Sequence, residues 1–187
     1  TVIVQLGDQL DGGGRGKGNT RGDELRLIEF MDIIHQKANV YGGGVYSLIG
    51  NHEIMNLLGD FRYASKNDIQ KQGGLSGRKK LFSPGSDIFN RMSCTRNVVL
   101  KIGNFIFCHA GVLPEHLDKK DNSKFIEKIN ILMRHYLQGH KDWDTHDIQK
   151  YFLSKSGLIW NRDYGKEKPN CKDFEYVTKM LKVDHMI

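Results

Sequence analysis

The stretch Val45-Tyr46-Ser47-Leu48-Ile49-Gly50-Asn51-His52-Glu53 decides the reading of the fold. An apolar, β-branched run climbs to a glycine and then delivers Asn, His and Glu in succession, as a buried strand does when its tip is polar. Gly50 lets the backbone turn sharply, and Ile54-Met55-Asn56-Leu57-Leu58 reads as the first turns of a helix. Asn51 offers a neutral oxygen ligand, and His52 an imidazole able to ligate or to move protons. Alone, such a tripeptide is a helix cap followed by a surface histidine. Its neighbours in the chain argue for more.

Upstream, Thr1-Val2-Ile3-Val4-Gln5-Leu6 is a second β-branched run, and Gly7-Asp8-Gln9-Leu10-Asp11 repeats the design of strand, glycine and acid. The segment from Gly12 to Asn19 is too rich in glycine for regular structure. It fails the phosphate-loop spacing, because Lys17 is followed by Gly18, and it fails the dinucleotide GxGxxG pattern as well. From Asp23 to Ala38 an apolar stripe of Leu27, Ile28, Met31, Ile34 and Ala38 predicts a helix. Strand, helix and strand in this order form a right-handed parallel βαβ unit. Both polar tips, Asp8/Asp11 and Asn51/His52, then share the carboxyl edge of one sheet, where ligands of α/β sheets gather.

Downstream, Gly59-Asp60-Phe61-Arg62-Tyr63 closes the helix, and Ser65 to Met92 reads as a polar, glycine-dotted excursion over the active face. Val98 to Ile102 and Phe105 to Cys108 flank Gly103-Asn104 and predict a hairpin. Its second strand runs into His109-Ala110-Gly111, a third strand tip with a possible ligand. Cys108 should point to the opposite face of that strand from His109. Ser123–Gly139, Asp147–Leu153 and Asp173–Leu181 have helical patterns, and Val183 begins a last strand. One domain over residues 1–187 is expected.

The net charge of +6, with a sequence pI near 9.2, favours acidic or phosphorylated partners; nucleic acid has only this charge in its favour. No apolar stretch approaches the roughly 18–20 residues of a membrane span. Cys94, Cys108 and Cys171 form no CxxC pair, and the chain opens on a strand without a basic leader. A soluble protein of the reducing cytoplasm is expected.

Carboxylate, amide oxygen and imidazole make a ligand set suited to Mn, Fe or Zn. GDQLD, GNHE and HAG, in this order and spacing, resemble the calcineurin-like metallophosphoesterases of the phosphoprotein phosphatase superfamily. LIGNHEIMNLLGDFRY, FCHAGVLPEHL and IWNRDYG are similar to its Shewanella-like branch. The resemblance implies an α/β fold: a two-sheet β-sandwich flanked by helices in four layers, αββα. It implies two divalent metal ions, with Asp8 bridging them and Asn51 and His109 ligating the second. By the same resemblance, His52 protonates the leaving group as a dimetal-bound hydroxide attacks phosphorus, and Asp11 orients His52. Arg62 and Arg162 match guanidiniums that clamp phosphate oxygens. The implied activity is phosphomonoester hydrolysis on phosphoproteins or small phosphoesters. The competing readings are dinucleoside polyphosphate hydrolysis and a catalytically incomplete binding scaffold.

The sequence departs from the family pattern in two ways. Asp11 is followed by Gly12-Gly13-Gly14 instead of arginine, which shifts the expected phosphate clamp to Arg15. The Asp-x-His block upstream of GDxxD and the Gly-His block after the last strand are absent, and the chain reads as truncated at both ends. Such a fragment retains Asp8, Asn51 and His109 for the second metal but only Asp8 for the first, and is expected to be weak or inactive. His35, His135, His140 and His146 read as surface or capping residues, and His116 as an exposed helical position. Trp160 reads as a core residue that aims Arg162.

Overall fold

In the computed structural model, which describes residues 1–12, 22–142 and 144–187, the expected βαβ unit is present. Strands β1 (Val2–Gln5) and β2 (Gly44–Leu48) run parallel, in register from Val2 with Gly44 to Gln5 with Ser47. Helix α1 (Glu24–Val40) connects them and packs on β2. Glu24 in its first turn and Lys37 in its last complement the helix dipole. At β2 the chain turns into helix α2 (Asn51–Leu57), whose seven residues are all buried.

The segment Ser65–Met92 is not a polar excursion. It folds into helix α3 (Lys66–Lys71), helix α4 (Gly74–Leu81) and helix α5 (Asp87–Thr95). Each is too short to display a helical period over the usual window of 11–18 residues. Gly73, Gly74 and Gly85, all with positive φ, break the pattern between them. Ser65 and Ser86 cap α3 and α5, accepting from the Asp68 and Phe89 N–H groups. Phe82, Phe89 and Met92 are fully buried, so this segment builds core, at about 1.5–3 kcal/mol for each large apolar side chain removed from water.

A two-residue strand that the sequence did not announce, β3 (Arg96–Asn97), pairs in parallel with β2. The chain then passes into the second sheet. There β4 (Val99–Ile102) and β5 (Phe105–Cys108) form the expected antiparallel hairpin around Gly103, and β6 (His185–Met186) joins β5 in parallel. Helix α6 (Phe125–Leu137) buries Phe125, Ile129, Met133, Tyr136 and Leu137. The Asn130 side chain latches it to the sheet, accepting from the Val98 and Val99 N–H groups and donating to the Val99 carbonyl. Helix α7 (Thr145–Ile148) continues into a π turn over Gln149–Leu153, and helix α8 (Cys171–Leu181) precedes β6. One cluster of buried residues draws on the second sheet, on the helices and on Ile49 and Val98 directly after β2 and β3, among them Ile28, Phe89, Val99, Ile106 and Ile129. The result is the two-sheet α/β architecture with flanking helices.

His116 corrects the expectation of an exposed helical position. It ends a 3-10 turn over Pro114–His116 and is buried. Its Nδ1 accepts from the Leu113 N–H at 2.9 Å, and its Nε2–H donates to the Ser156 carbonyl at 2.9 Å. Burial pushes its pKa down to about 4. Among the described residues no helix is long and apolar enough to cross a membrane.

Candidate active site

The tips of β1 and β2 meet backbone against backbone. A Cβ on Gly7 would lie 2.5 Å from the Gly50 nitrogen, and a Cβ on Gly50 would lie 2.4 Å from Asp8 Oδ1. Only glycine fits such a crossing. Beyond it, Asp8 (φ 57°) and Asp11 (φ 62°) adopt the left-handed conformation that non-glycine residues seldom occupy.

Glu53 holds this loop in place. Fully buried, its Oε1 accepts from the Gln9 and Leu10 N–H groups at 2.8 and 3.1 Å. Its Oε2 accepts from the Asp8 and Gly50 N–H groups at 2.9 and 2.8 Å. Burial raises the Glu53 pKa and the charge on Asp8 pushes the same way, against the pull of these N–H groups. The sequence reading assigned Glu53 no role. Its signal was positional: an acid at the third residue of a helix, reaching back to the residue before the first turn.

Three polar atoms converge at the strand tips. His109 Nδ1–H donates to the Leu6 carbonyl at 2.7 Å, which leaves Nε2 facing Asn51 Oδ1 at 3.0 Å and Asp8 Oδ2 at 3.4 Å. With a neutral ring these are three electron-pair donors turned toward one another, an arrangement that a bound cation relieves. In the absence of a cation, burial lowers the His109 pKa, but hydrogen bonding and charge from Asp8 outweigh it and the net shift is upward. Burial correspondingly raises the Asp8 pKa, and His109 with the His52 N–H brings it below the ordinary value. Among the described residues no three His, Cys, Asp or Glu side chains form a metal-holding group; the donor set here is two such residues and an amide. The structure brings Asp8, Asn51 and His109 together, and this oxygen and imidazole set fits one cation.

Beside them His52 Nδ1–H donates to Asp11 Oδ2 at 2.9 Å, and His52 Nε2 lies 3.9 Å from Asp8 Oδ2. The Tyr63 ring stands 5.2 Å from the His52 ring. Asp11 is gripped from behind by two residues to which the sequence assigns no role in the site. Arg78 Nη2 donates to its Oδ1 at 2.9 Å, and Asn56 Nδ2 to its Oδ2 at 3.0 Å. Nothing local in the sequence marks Arg78, which comes from α4, 67 residues beyond Asp11.

Two of the arginines expected to hold phosphate, Arg62 and Arg162, are exposed. Arg62 forms a two-point pair with Asp60, at 2.7 Å from Nη2 and 2.8 Å from Nε, and its hydrogen bond lowers the Asp60 pKa. Arg162 donates from Nη1 to the Trp160 and Asn161 carbonyls. Its block is tied to the HAG loop, since Asn161 donates to the Gly111 carbonyl and Tyr164 to the Val112 carbonyl, each at 2.9 Å. The half-buried Trp160 donates to the Phe152 carbonyl at 2.8 Å. Arg15 lies outside the described residues.

Two sheets whose tips gather an acid, an amide and a histidine beside an Asp–His pair match the arrangement that the sequence resemblance implies for a phosphoesterase. The chain belongs to the calcineurin-like phosphoesterase family, whose model matches residues 1–177. It is 38% identical over 180 residues to an uncharacterized protein of Acanthamoeba polyphaga mimivirus, covering 82% of this chain and 70% of that one. It is 25% identical over 226 residues to Shewanella-like protein phosphatase 2 of Arabidopsis thaliana, covering 97% of this chain and 54% of the relative. Among solved structures, the cold-active protein-tyrosine phosphatase of a psychrophile Shewanella sp. superimposes with a TM-score of 0.76 at 25% identity, over 99% of this chain and 53% of that one. The chain spans about half the length of these two phosphatases.

Proposed function

We propose that this chain carries the Asp8/Asn51/His109 part of the centre of a metal-dependent phosphatase, acting on phosphomonoesters and above all on phosphoproteins. One observation carries the reading: Asn51 Oδ1 and Asp8 Oδ2 meet at His109 Nε2 directly beside the His52–Asp11 pair. Asp8, Asn51 and His109 would hold one divalent ion, and Asp8 would also reach a second. Mn, Fe and Zn all suit this oxygen and imidazole set. When bound, such a pair supplies Lewis acidity at the phosphoryl oxygens and activates water.

The chain's own residues do the rest. Asp11 holds the proton on His52 Nδ1, so that Nε2 can deliver its proton to the departing alkoxide. Arg162 and Arg62, with Arg15, are placed in this reading as the clamps on phosphate oxygens, a task suited to the planar guanidinium fork. The names of the phosphatase relatives and the basic charge support a phosphorylated, acidic substrate. The chain spans about half the length of the phosphatases it is similar to, so the test belongs on the full-length protein.

The deciding experiment is Mn-dependent hydrolysis of a generic aryl phosphate by the full-length protein, beside its Asp8→Asn variant. The expected result is activity that vanishes with chelation and falls at least about a hundredfold in the variant. Equal rates in the two proteins, or no hydrolysis with Mn, Zn or Fe, would turn the reading to a binding scaffold.

A further inference from the structure

We infer that Arg78 is the positioning residue of the acid pair: from the buried side of the site it fixes the carboxylate of Asp11 so that a single oxygen aims at His52. The inference rests on the proposed role of His52 as the acid. Arg78 is completely buried, so it cannot touch a substrate and must act through its neighbours.

Those neighbours divide its fork in a telling way. Nη2 takes Asp11 Oδ1 at 2.9 Å, which leaves Oδ2 for His52 Nδ1. Nε and Nη2 both donate to Asn56 Oδ1, at 2.9 and 2.7 Å, and this fixes which way the amide faces. Asn56 Nδ2 is thereby turned to Asp11 Oδ2 at 3.0 Å and to the His52 carbonyl at 2.9 Å. One guanidinium thus sets one Asp11 oxygen directly and the other through Asn56. On its far side Nη1 is anchored by Glu24 and by Gln72 Oε1, the latter at 2.8 Å. The Phe61 and Phe82 rings lie 5.4 and 4.8 Å from the guanidinium carbon. A carboxylate on a left-handed backbone, next to an imidazole that loses its Nε2 proton, needs such a fixed partner to keep the ring in one orientation.

The test compares wild type, Arg78→Lys, Arg78→Gln and Asp11→Asn in the full-length protein on aryl phosphates of increasing leaving-group pKa. A group that orients the acid matters most where the leaving oxygen needs a proton most. For Arg78→Lys the expected loss in kcat is about 10-fold with p-nitrophenyl phosphate and about 100-fold or more with phenyl phosphate, with little change in KM, following the pattern of Asp11→Asn. A second readout needs no turnover: the NMR signal of the His52 Nδ1–H proton should shift or exchange away in Arg78→Gln while circular dichroism is unchanged. Should the Arg78 variants fail to fold, Gln72→Ala removes one neutral anchor and should give a smaller steepening in the same direction. A loss that is uniform across the series, or an unmoved His52 proton, would reduce Arg78 to a structural ion pair. If wild type is inactive with every metal, the phosphatase reading fails, and the His52 proton alone decides for or against Arg78.

Discussion

A single buried carboxylate does most to hold the loop that carries the site. Glu53 gathers four backbone N–H groups from both strand tips, and glutamine cannot replace it, since its amide would turn N–H groups toward N–H groups. Glu53→Gln is therefore expected to cost about 2–4 kcal/mol, read as a lower urea midpoint at pH 7. A change under about 0.5 kcal/mol would mean that the loop holds itself. Gly50→Ala acts at the same crossing: its Cβ would strike Asp8 Oδ1 and sit 3.0 Å from His109 Nδ1, so metal affinity should fall with stability. At this scale the sequence was informative wherever chemistry sat at a strand tip behind a glycine, as with Asp8, Asn51, His52 and His109. For Glu53 it offers only the position of an acid at the third residue of a helix, and it is silent on Asn56 and Arg78, because a residue that acts through another side chain leaves no local pattern of its own.

Elements were legible in proportion to their length and periodicity. The parallel βαβ unit, the hairpin and α6 show clear periods and fold as expected, whereas α3, α4 and α5 are short and separated by glycines; α3 and α5 are marked only by their serine caps, and α4, which starts behind Gly73, has no such mark. The loop after β5 hid a buried histidine for the same reason, because a 3-10 turn of three residues has no face to read. That histidine makes a prediction for its element. His116 has a pKa of about 4 in the folded chain against an ordinary 6.5. Between those values the unfolded chain binds a proton that the native one refuses. The sign is then fixed: stability is full above about pH 6.5 and falls as pH drops toward 4, by about 3 kcal/mol in all. Urea titrations from pH 4.5 to 7.5 should show this slope flattened in His116→Asn. Parallel curves for the two proteins would refute it.

For the molecule as a whole the question is how much stability a bound metal would add to this fold. Glu53 and the glycine crossing set the backbone around the strand tips, and Arg78 holds Asp11 from behind. With a neutral His109 ring, the electron pairs of Asp8, Asn51 and His109 face one another. An ion that binds only the native state should relieve this and add stability by mass action. The gain is about 2.7 kcal/mol at a hundred times the dissociation constant. For a chain of this size that corresponds to a rise in Tm of roughly 5–11 °C. Titration of the full-length protein with Mn, followed by thermal unfolding, should show this increment, and a chelator should remove it without unfolding the protein at room temperature. Asp8→Asn and His109→Ala should each abolish it, while Arg162→Ala, at a residue proposed to clamp substrate and not metal, should leave it intact. A Tm indifferent to Mn, Zn and Fe would show that the convergence of these three side chains is a polar contact within the fold and not the seat of an ion.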